Sequence, residues 1–301
     1  MEAYYISIGY IIIDDIVLPD GTRKMGVLGG GATHALMGMR LWTDQVGLVS
    51  GIGKDYAGET LERLSDFFHT EGVKVEPRLK TPRAWQVFDK QGHRDETFQT
   101  DRKELKHLIL KPAELIDFYP KVTGVHLQCK PENVLSWVPH LRRLGCGIIL
   151  WEPWDEFCVP ENQALFKENS IAVDIVSPNL REGRLLTGLE DPVDVVRQLN
   201  AYGAGVVALR MGEQGSLIAT DRGDLINIRA YPVEEIIDVT GAGNAYCGGF
   251  IVGYDLTGDL RQAGWYGGVS ASFALAQFGA LYSLKGREEE AQNRLRWYAK
   301  K

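Results

Sequence analysis

Cysteine is scarce and scattered in this sequence. Four stand among 301 residues, Cys129, Cys146, Cys158 and Cys247. No Cys-x-x-Cys pair and no histidine at metal-ligand spacing accompanies them, which argues against a disulfide framework and against a zinc site. No apolar run approaches the roughly 20 residues that a membrane-spanning helix needs. Met1-Glu2-Ala3-Tyr4-Tyr5 lacks the basic stretch and apolar core of a signal peptide. Positive charge is in deficit: 33 Lys and Arg against 40 Asp and Glu give a formal charge of −7, the wrong sign for a nucleic-acid surface. Internal repeats and low-complexity tracts are also missing. Together these absences lead us to expect a cytoplasmic protein with reduced, buried thiols, no nucleic-acid partner and no membrane.

What is present suits a folded enzyme-sized domain. Hydrophobic residues make up 45% of the chain and charged ones 24%, enough for one large α/β domain over residues 1–301. Residues 4–13 read as a buried strand, and residues 33–42 and 59–68 have helical spacing. Short apolar runs at 124–127, 146–151, 171–176 and 206–209 are separated by helix-like segments, the pattern of buried parallel strands joined by crossover helices. Two early hairpins break that rhythm, one turning at Asp20-Gly21 and one at Lys90-Gln91-Gly92-His93. They predict a small β lid, at about residues 14–29 and 83–100, projecting from the body and offering a dimer contact. The charged stretch 285–301 reads as a solvated C-terminal helix.

The segment richest in chemistry is Glu235-Ile236-Ile237-Asp238-Val239-Thr240-Gly241-Ala242-Gly243-Asn244. It reads as a strand ending at Ile237 and a helix beginning near Gly243. The small residues between them let backbone N–H groups converge on an anion, and a helix N-terminus adds about half a positive charge there. A tight strand-to-helix turn without any ligand would look the same at this level.

The residues 238–243 resemble the signature of the carbohydrate kinase family that includes ribokinase, fructokinase and adenosine kinase. Further similarities occur in order along the chain: Gly9 with Asp14, Gly29-Gly30-Gly31-Ala32-Thr33-His34, Gly51-Ile52-Gly53-Lys54-Asp55, Asn179-Leu180-Arg181-Glu182, Leu209-Arg210-Met211-Gly212-Glu213-Gln214-Gly215, and residues 267–280. Trp151-Glu152-Pro153 and Cys158-x-Pro160-Glu161-Asn162 are similar to a fungal branch of that family known for maintenance of a killer phenotype. The resemblance implies a three-layer ribokinase-like α/β fold, mainly a parallel sheet flanked by helices. It also implies an ATP- and Mg2+-dependent kinase acting on a hydroxylated sugar- or nucleoside-like small molecule. Gly241, Ala242 and Gly243 would form the anion hole, and Asp14, Gly30, Gly31 and His34 would bind the substrate. Asn179, Arg210, Gly212, Gly215 and Thr240 would lie near the nucleotide, and Glu182 would hold the magnesium and its waters.

Two positions depart from the family pattern. His34 stands where the family has Asn, and Asn244 stands where it has the Asp that takes the proton of the substrate hydroxyl. A carboxylate can accept that proton, whereas an amide can only orient the hydroxyl. General-base catalysis contributes roughly 10²–10⁴-fold, so an Asn enzyme is expected to be slow, or to use unusual chemistry or a nearby Asp or His as base. The rival expectations are a catalytically silent ligand-binding or regulatory protein on a kinase scaffold, and an enzyme that reuses the pocket for another reaction. Several candidates also have structural readings. Asp14 can cap a turn, with Asp15 pointing the opposite way; Glu182 suits a helix N-terminus; Arg210 can pair with a surface acid.

Overall fold

A computed structural model describes residues 4–89 and 94–300. The chain begins with β1 (Tyr4–Ile8), β2 (Ile12–Val17), β3 (Arg23–Gly29) and α1 (Gly31–Arg40). It continues through β4 (Val46–Gly53), α2 (Ala57–Ser65), β5 (Val73–Glu76), β6 (Arg83–Phe88) and β7 (Arg94–Phe98). Strands and helices then alternate: β8 (Val122–Leu127), α3 (Pro131–Arg143), β9 (Ile148–Trp151), α4 (Gln163–Ala172), β10 (Ile175–Val176), α5 (Leu180–Thr187), α6 (Pro192–Ala201) and β11 (Val206–Arg210). The last elements are β12 (Ser216–Thr220), β13 (Leu225–Ile228), α7 (Ala242–Thr257), α8 (Leu260–Ala274) and α9 (Arg287–Ala299).

Among the described residues one sheet has nine strands in the order β13-β12-β11-β10-β9-β8-β1-β4-β5. The pairs from β5 across to β11 are parallel, and β12 and β13 add antiparallel at one edge. Both faces of this sheet are covered, which explains the near-continuous apolar runs. On β9, Ile149 and Trp151 join one buried cluster while Ile148 and Leu150 join another. Val207 and Leu209 of β11 divide from Ala208 in the same way. Successive strand side chains point to opposite faces, so the two clusters lie on the two sides of the sheet. Trp137 of α3, Phe166 of α4 and Leu199 of α6 complete one side; Leu36 of α1, Phe250 of α7 and Phe273 of α8 complete the other. The result is the three-layer α/β architecture expected.

The close contact of α1 with α7 sets the site. A side chain at Gly38 would strike the Ala245 carbonyl, and one at Gly248 would strike the Ala35 carbonyl. Reciprocal glycines therefore let the two backbones approach, which brings the start of α1 against the turn that opens α7.

The early hairpins form a second, four-stranded sheet in the order β3-β2-β6-β7. β2 pairs parallel with β6, Asp14 opposite Ala84, so the hairpins share one sheet. The β2–β3 turn has Thr22 N–H donating to Asp20 Oδ1 at 2.8 Å. The turn expected at Lys90-Gln91-Gly92-His93 lies outside the described residues.

Four sequence expectations need correction. Residues 4–13 are two strands of different sheets, β1 and β2, broken at 9–11. Residues 171–172 end α4, leaving a two-residue β10, and Ile171 is exposed at the helix end. The segment before the phosphate turn is irregular rather than a strand, and its Ile236 is exposed. The C-terminal helix is docked as well as solvated: Ala291 and Tyr298 of α9 are buried, and the Arg294 guanidinium lies 4.0 Å from the centre of the Phe273 ring.

Candidate active site

Gly241 occupies the N-cap position of the 16-residue helix α7 with φ of 75°, a left-handed conformation that favours glycine. A side chain there would also run into the His34 imidazole, so the turn rests directly on that ring. No side chain caps α7 and no acid stands in its first turn. Its N-terminal dipole is therefore free to face an anion at Ala242 and Gly243. A side chain at Gly243 would meet the Arg210 guanidinium, which places Arg210 beneath the turn.

Arg210 is not paired with a surface acid, one of its two sequence readings. Its side chain is 11% exposed and bridges two buried carboxylates, Nη1 to Glu152 Oε1 at 2.6 Å and Nη2 to Glu182 Oε2 at 3.6 Å. Nη2 also donates to the Ser177 carbonyl at 2.9 Å. Glu152, at the end of β9, accepts at Oε2 from the Asn244 amide at 2.8 Å and from His126 Nε2 at 2.7 Å. His126 Nδ1 in turn meets Ser7 Oγ at 2.8 Å, across strands that pair Ser7 with His126 in register. Burial alone would raise the Glu152 carboxyl, but the Arg210 charge and the His126 and Asn244 hydrogen bonds outweigh it and hold it down at about 2. Glu152 is thus an anion. His126, Glu152 and Cys247 place ligand atoms within 4.8 Å of one another. With both Glu152 oxygens already bonded, this cluster is a polar core network rather than a metal centre.

Glu182 lies in the first turn of α5, where its carboxylate accepts the Asn179 N–H at 2.6 Å and Asn179 Oδ1 accepts the Glu182 N–H at 2.8 Å. This reciprocal capping box is the structural role anticipated for an acid there. Burial pushes Glu182 up to about 7, with Arg210 and the Asn179 N–H pulling down and Glu152 and Asp155 pushing up. Gly212 and Gly215 shape the turn between β11 and β12, both at positive φ, 59° and 91°.

Asp14 sits on β2 and is buried at 2% exposure. Its Oδ1 accepts from Gln86 Nε2 at 2.9 Å, and its carboxylate fills the space beside Gly29. Burial raises it to about 7, partly offset by the Gln86 hydrogen bond and pushed further by Glu96. Asp15 does point away: Arg83 grips it at 2.7 and 2.8 Å. His34 is held neutral, burial lowering it to about 4 with help from the Arg94 charge. Asp14, His34 and Asp238 all feel Arg94, which gathers them into one neighbourhood. Gly31 lies against the Gln128 amide, and the N-cap Gly30 packs on the Tyr10 carbonyl.

Several buried polar atoms around this neighbourhood have no hydrogen-bond partner among the described residues: His34 Nε2, Gln86 Oε1, Arg210 Nε, Asp238 Oδ2 and Thr240 Oγ1. The Thr240 N–H does donate to Asp238 Oδ1, at 2.9 Å. Native interiors leave few polar groups unpaired, so such a concentration suits a polar ligand. The residues that sequence reasoning did not assign to the site are Glu152, His126, Gln86, Gln128, Arg94 and Asp238. Glu152 was marked only by the likeness of its tripeptide to a fungal branch, and Asp238 only as part of the signature.

Residues 154–286 match the model of the pfkB family carbohydrate kinases. A cytidine kinase of Thermococcus kodakarensis is 31% identical, the alignment covering 85% of this chain and 90% of that one. The chain belongs to the pfkB family. An uncharacterized protein of Schizosaccharomyces pombe is 30% identical over 95% of this chain and 88% of its own, and protein MAK32 of Saccharomyces cerevisiae is 24% identical over 92% and 86%. Among solved structures, the Methanocaldococcus jannaschii nucleoside kinase, an archaeal member of the ribokinase family, superposes with a TM-score of 0.75 at 21% identity, covering 98% of this chain and 99% of that one. A ribokinase II assignment from E. coli, solved with ATP and Mg2+, gives 0.75 at 20% identity over 97% and 100%. The fold of this pfkB-family chain is therefore ribokinase-like, and its kinase relatives support a kinase-like function. No helix among the described residues is long and apolar enough to cross a membrane.

Proposed function

We propose that this protein is an ATP- and Mg2+-dependent kinase that transfers a phosphoryl group to a hydroxyl of a nucleoside-like small molecule. The observation that carries the reading is the uncapped N-terminus of α7 at Gly241, Ala242 and Gly243, with Asn244 in its first turn and Arg210 beneath it. That arrangement offers backbone donors and a cation to a phosphoryl group whose negative charge grows on its outer oxygens. Asp14, Gly30, Gly31 and His34 supply the acceptor side: a carboxylate and a neutral imidazole suit sugar hydroxyls. Nucleoside-like acceptors are favoured because the cytidine kinase of T. kodakarensis aligns over most of both chains.

The donor set fits a hard divalent cation. Glu182 is a buried carboxyl raised to about 7 with Asp155 in electrostatic reach, and a cation held there through water would favour its ionised form. Magnesium would supply charge neutralisation of the phosphates. Asn179, Gly212, Gly215 and Thr240 would shape the nucleotide side. The small sheet exposes Met25 and Val87, which suits a lid that also meets a second copy of the chain.

One observation favours a second reading, a ligand-binding protein without turnover. Arg210 and Glu182 are already engaged with Glu152 and Asn179, as a purely structural network would have them. ADP release from ATP and Mg2+ with nucleosides, pentoses and hexoses as acceptors separates the two. The kinase reading expects acceptor-dependent release, greatest with a nucleoside. Nucleotide binding with no acceptor-dependent release establishes the second.

A further inference from the structure

Position 244 carries an amide where the family signature has an acid, yet an acid is in contact with that position. Glu152 arrives from the end of β9, 92 residues away in sequence, and its Oε2 takes the Asn244 Nδ2–H at 2.8 Å. A carboxylate only accepts hydrogen bonds, so the amide must turn its N–H toward Glu152. The amide group is planar, which points Oδ1 the other way. Glu152 is itself immobilised by Arg210 on Oε1 and by His126 on Oε2, and His126 by Ser7.

We propose that Glu152 is the positioning residue of the transfer site: it locks the Asn244 amide with Oδ1 presented to the acceptor hydroxyl, and positions 152 and 244 work as one acid–amide pair. The inference rests on the kinase reading. An unrestrained amide would sample both flips, one of which offers an N–H where the hydroxyl needs an acceptor. The ionic hydrogen bond from Nδ2 removes that flip, and by polarising the amide it makes Oδ1 a stronger acceptor. The hydroxyl is thereby held with a lone pair free to attack the γ-phosphorus, an orientation effect of the kind that accelerates transfer without a base. As the new O–P bond forms, the bond to the ADP oxygen breaks, and the hydroxyl proton, which an amide cannot take, leaves late to an oxygen of the transferred phosphoryl group or to water.

The pairing has a consequence for restoring the family acid. Asn244→Asp by itself places a second carboxylate in hydrogen-bond contact with an anion that Arg210 and His126 already hold ionised, so like charges meet in a buried site. The acid can move to 244 only if it leaves 152. The test compares wild type, Glu152→Gln, Asn244→Asp and the double variant by steady-state ADP release with a nucleoside acceptor. Glu152→Gln should lower kcat by about 10-fold or more through lost orientation, with the acceptor KM within roughly 3-fold. Asn244→Asp should also fall below wild type. The double variant should recover to at least the wild-type kcat, because it reconstitutes one acid and one amide.

Recovery on adding the second substitution rules out misfolding as the cause of the first loss. If Glu152→Gln does not fold, the single Asn244→Asp variant decides: turnover at or above wild type overturns the proposal. In the full set, a double variant whose loss is the product of the single losses overturns it, as does a Glu152→Gln effect confined to KM. Silence of the wild type with every acceptor, while ATP binds, overturns the kinase reading and this proposal together. Turnover with additive losses overturns this proposal alone.

Discussion

Arg210→Met removes a guanidinium while keeping most of its aliphatic bulk, and it strands two buried carboxyls. The charge lies 2.6 Å from Glu152 and 3.6 Å from Glu182, both nearly excluded from solvent. Removing one member of a buried ion pair costs about 3–5 kcal/mol, because the partner charge is left uncompensated. For a chain of this size that corresponds to a melting temperature lower by roughly 5–8 °C. The pH dependence comes from the two carboxyls. Glu152 is depressed from 4.5 to about 2, so its contribution is present above its unfolded value and is lost as pH falls through about 2. Glu182 is raised from 4.5 to about 7, so its contribution is present below 4.5 and is lost as pH rises through about 7. Without Arg210 the Glu152 contribution shrinks to what the His126 and Asn244 hydrogen bonds supply, and above pH 7 two buried acids must ionise without a guanidinium beside them. The loss should therefore be larger at pH 8 than at pH 5. Thermal melts of both proteins at the two pH values measure it. A melting temperature within about 2 °C of wild type at both would refute the buried-network account.

Two further substitutions probe the two sides of the site. Asp14 is raised from 3.8 to about 7 by burial, so its folding contribution is present below 3.8 and lost as pH rises through about 7. Asp14→Asn should raise the melting temperature at pH 8 while weakening acceptor binding; unchanged acceptor affinity by calorimetry would make Asp14 structural. At Gly243, Val would drive into the Arg210 guanidinium. Gly243→Val should abolish ATP binding while leaving the circular dichroism spectrum intact, and retained binding would remove the turn from the site.

Legibility in the sequence tracked the range of the interaction. The phosphate turn and the strand–helix alternation are local, and small residues before a helix or an apolar run betray them. Glu152 and Asn244 meet only because the end of β9 and the start of α7 reach the same place, and no spacing rule reaches across 92 residues. Gln86 reaches Asp14 through the parallel pairing of β2 with β6, equally invisible beforehand. The misread segments were apolar for other reasons. Residues 4–13 are hydrophobic almost throughout because β1 is buried on both faces of the large sheet, and Ile11 and Ile13, leading into the second sheet, are buried in the cluster that also holds Tyr5. Ile171 and Ile236 are apolar yet exposed, so the run through 171–176 mimicked a longer strand and that through 235–237 mimicked one that is absent. On α9 the charged residues hid a docking face, since Arg294 covers Phe273 with its guanidinium.

The most direct test is chemical identification of the product. The protein is incubated with ATP, Mg2+ and an equimolar mixture of nucleosides, pentoses and hexoses, and the small molecules are resolved by mass spectrometry. The account predicts a nucleoside monophosphate formed in step with ADP, and formed about 10-fold or more slowly by Glu152→Gln. No phosphorylated acceptor, from protein shown by calorimetry to bind ATP under the same conditions, would contradict it.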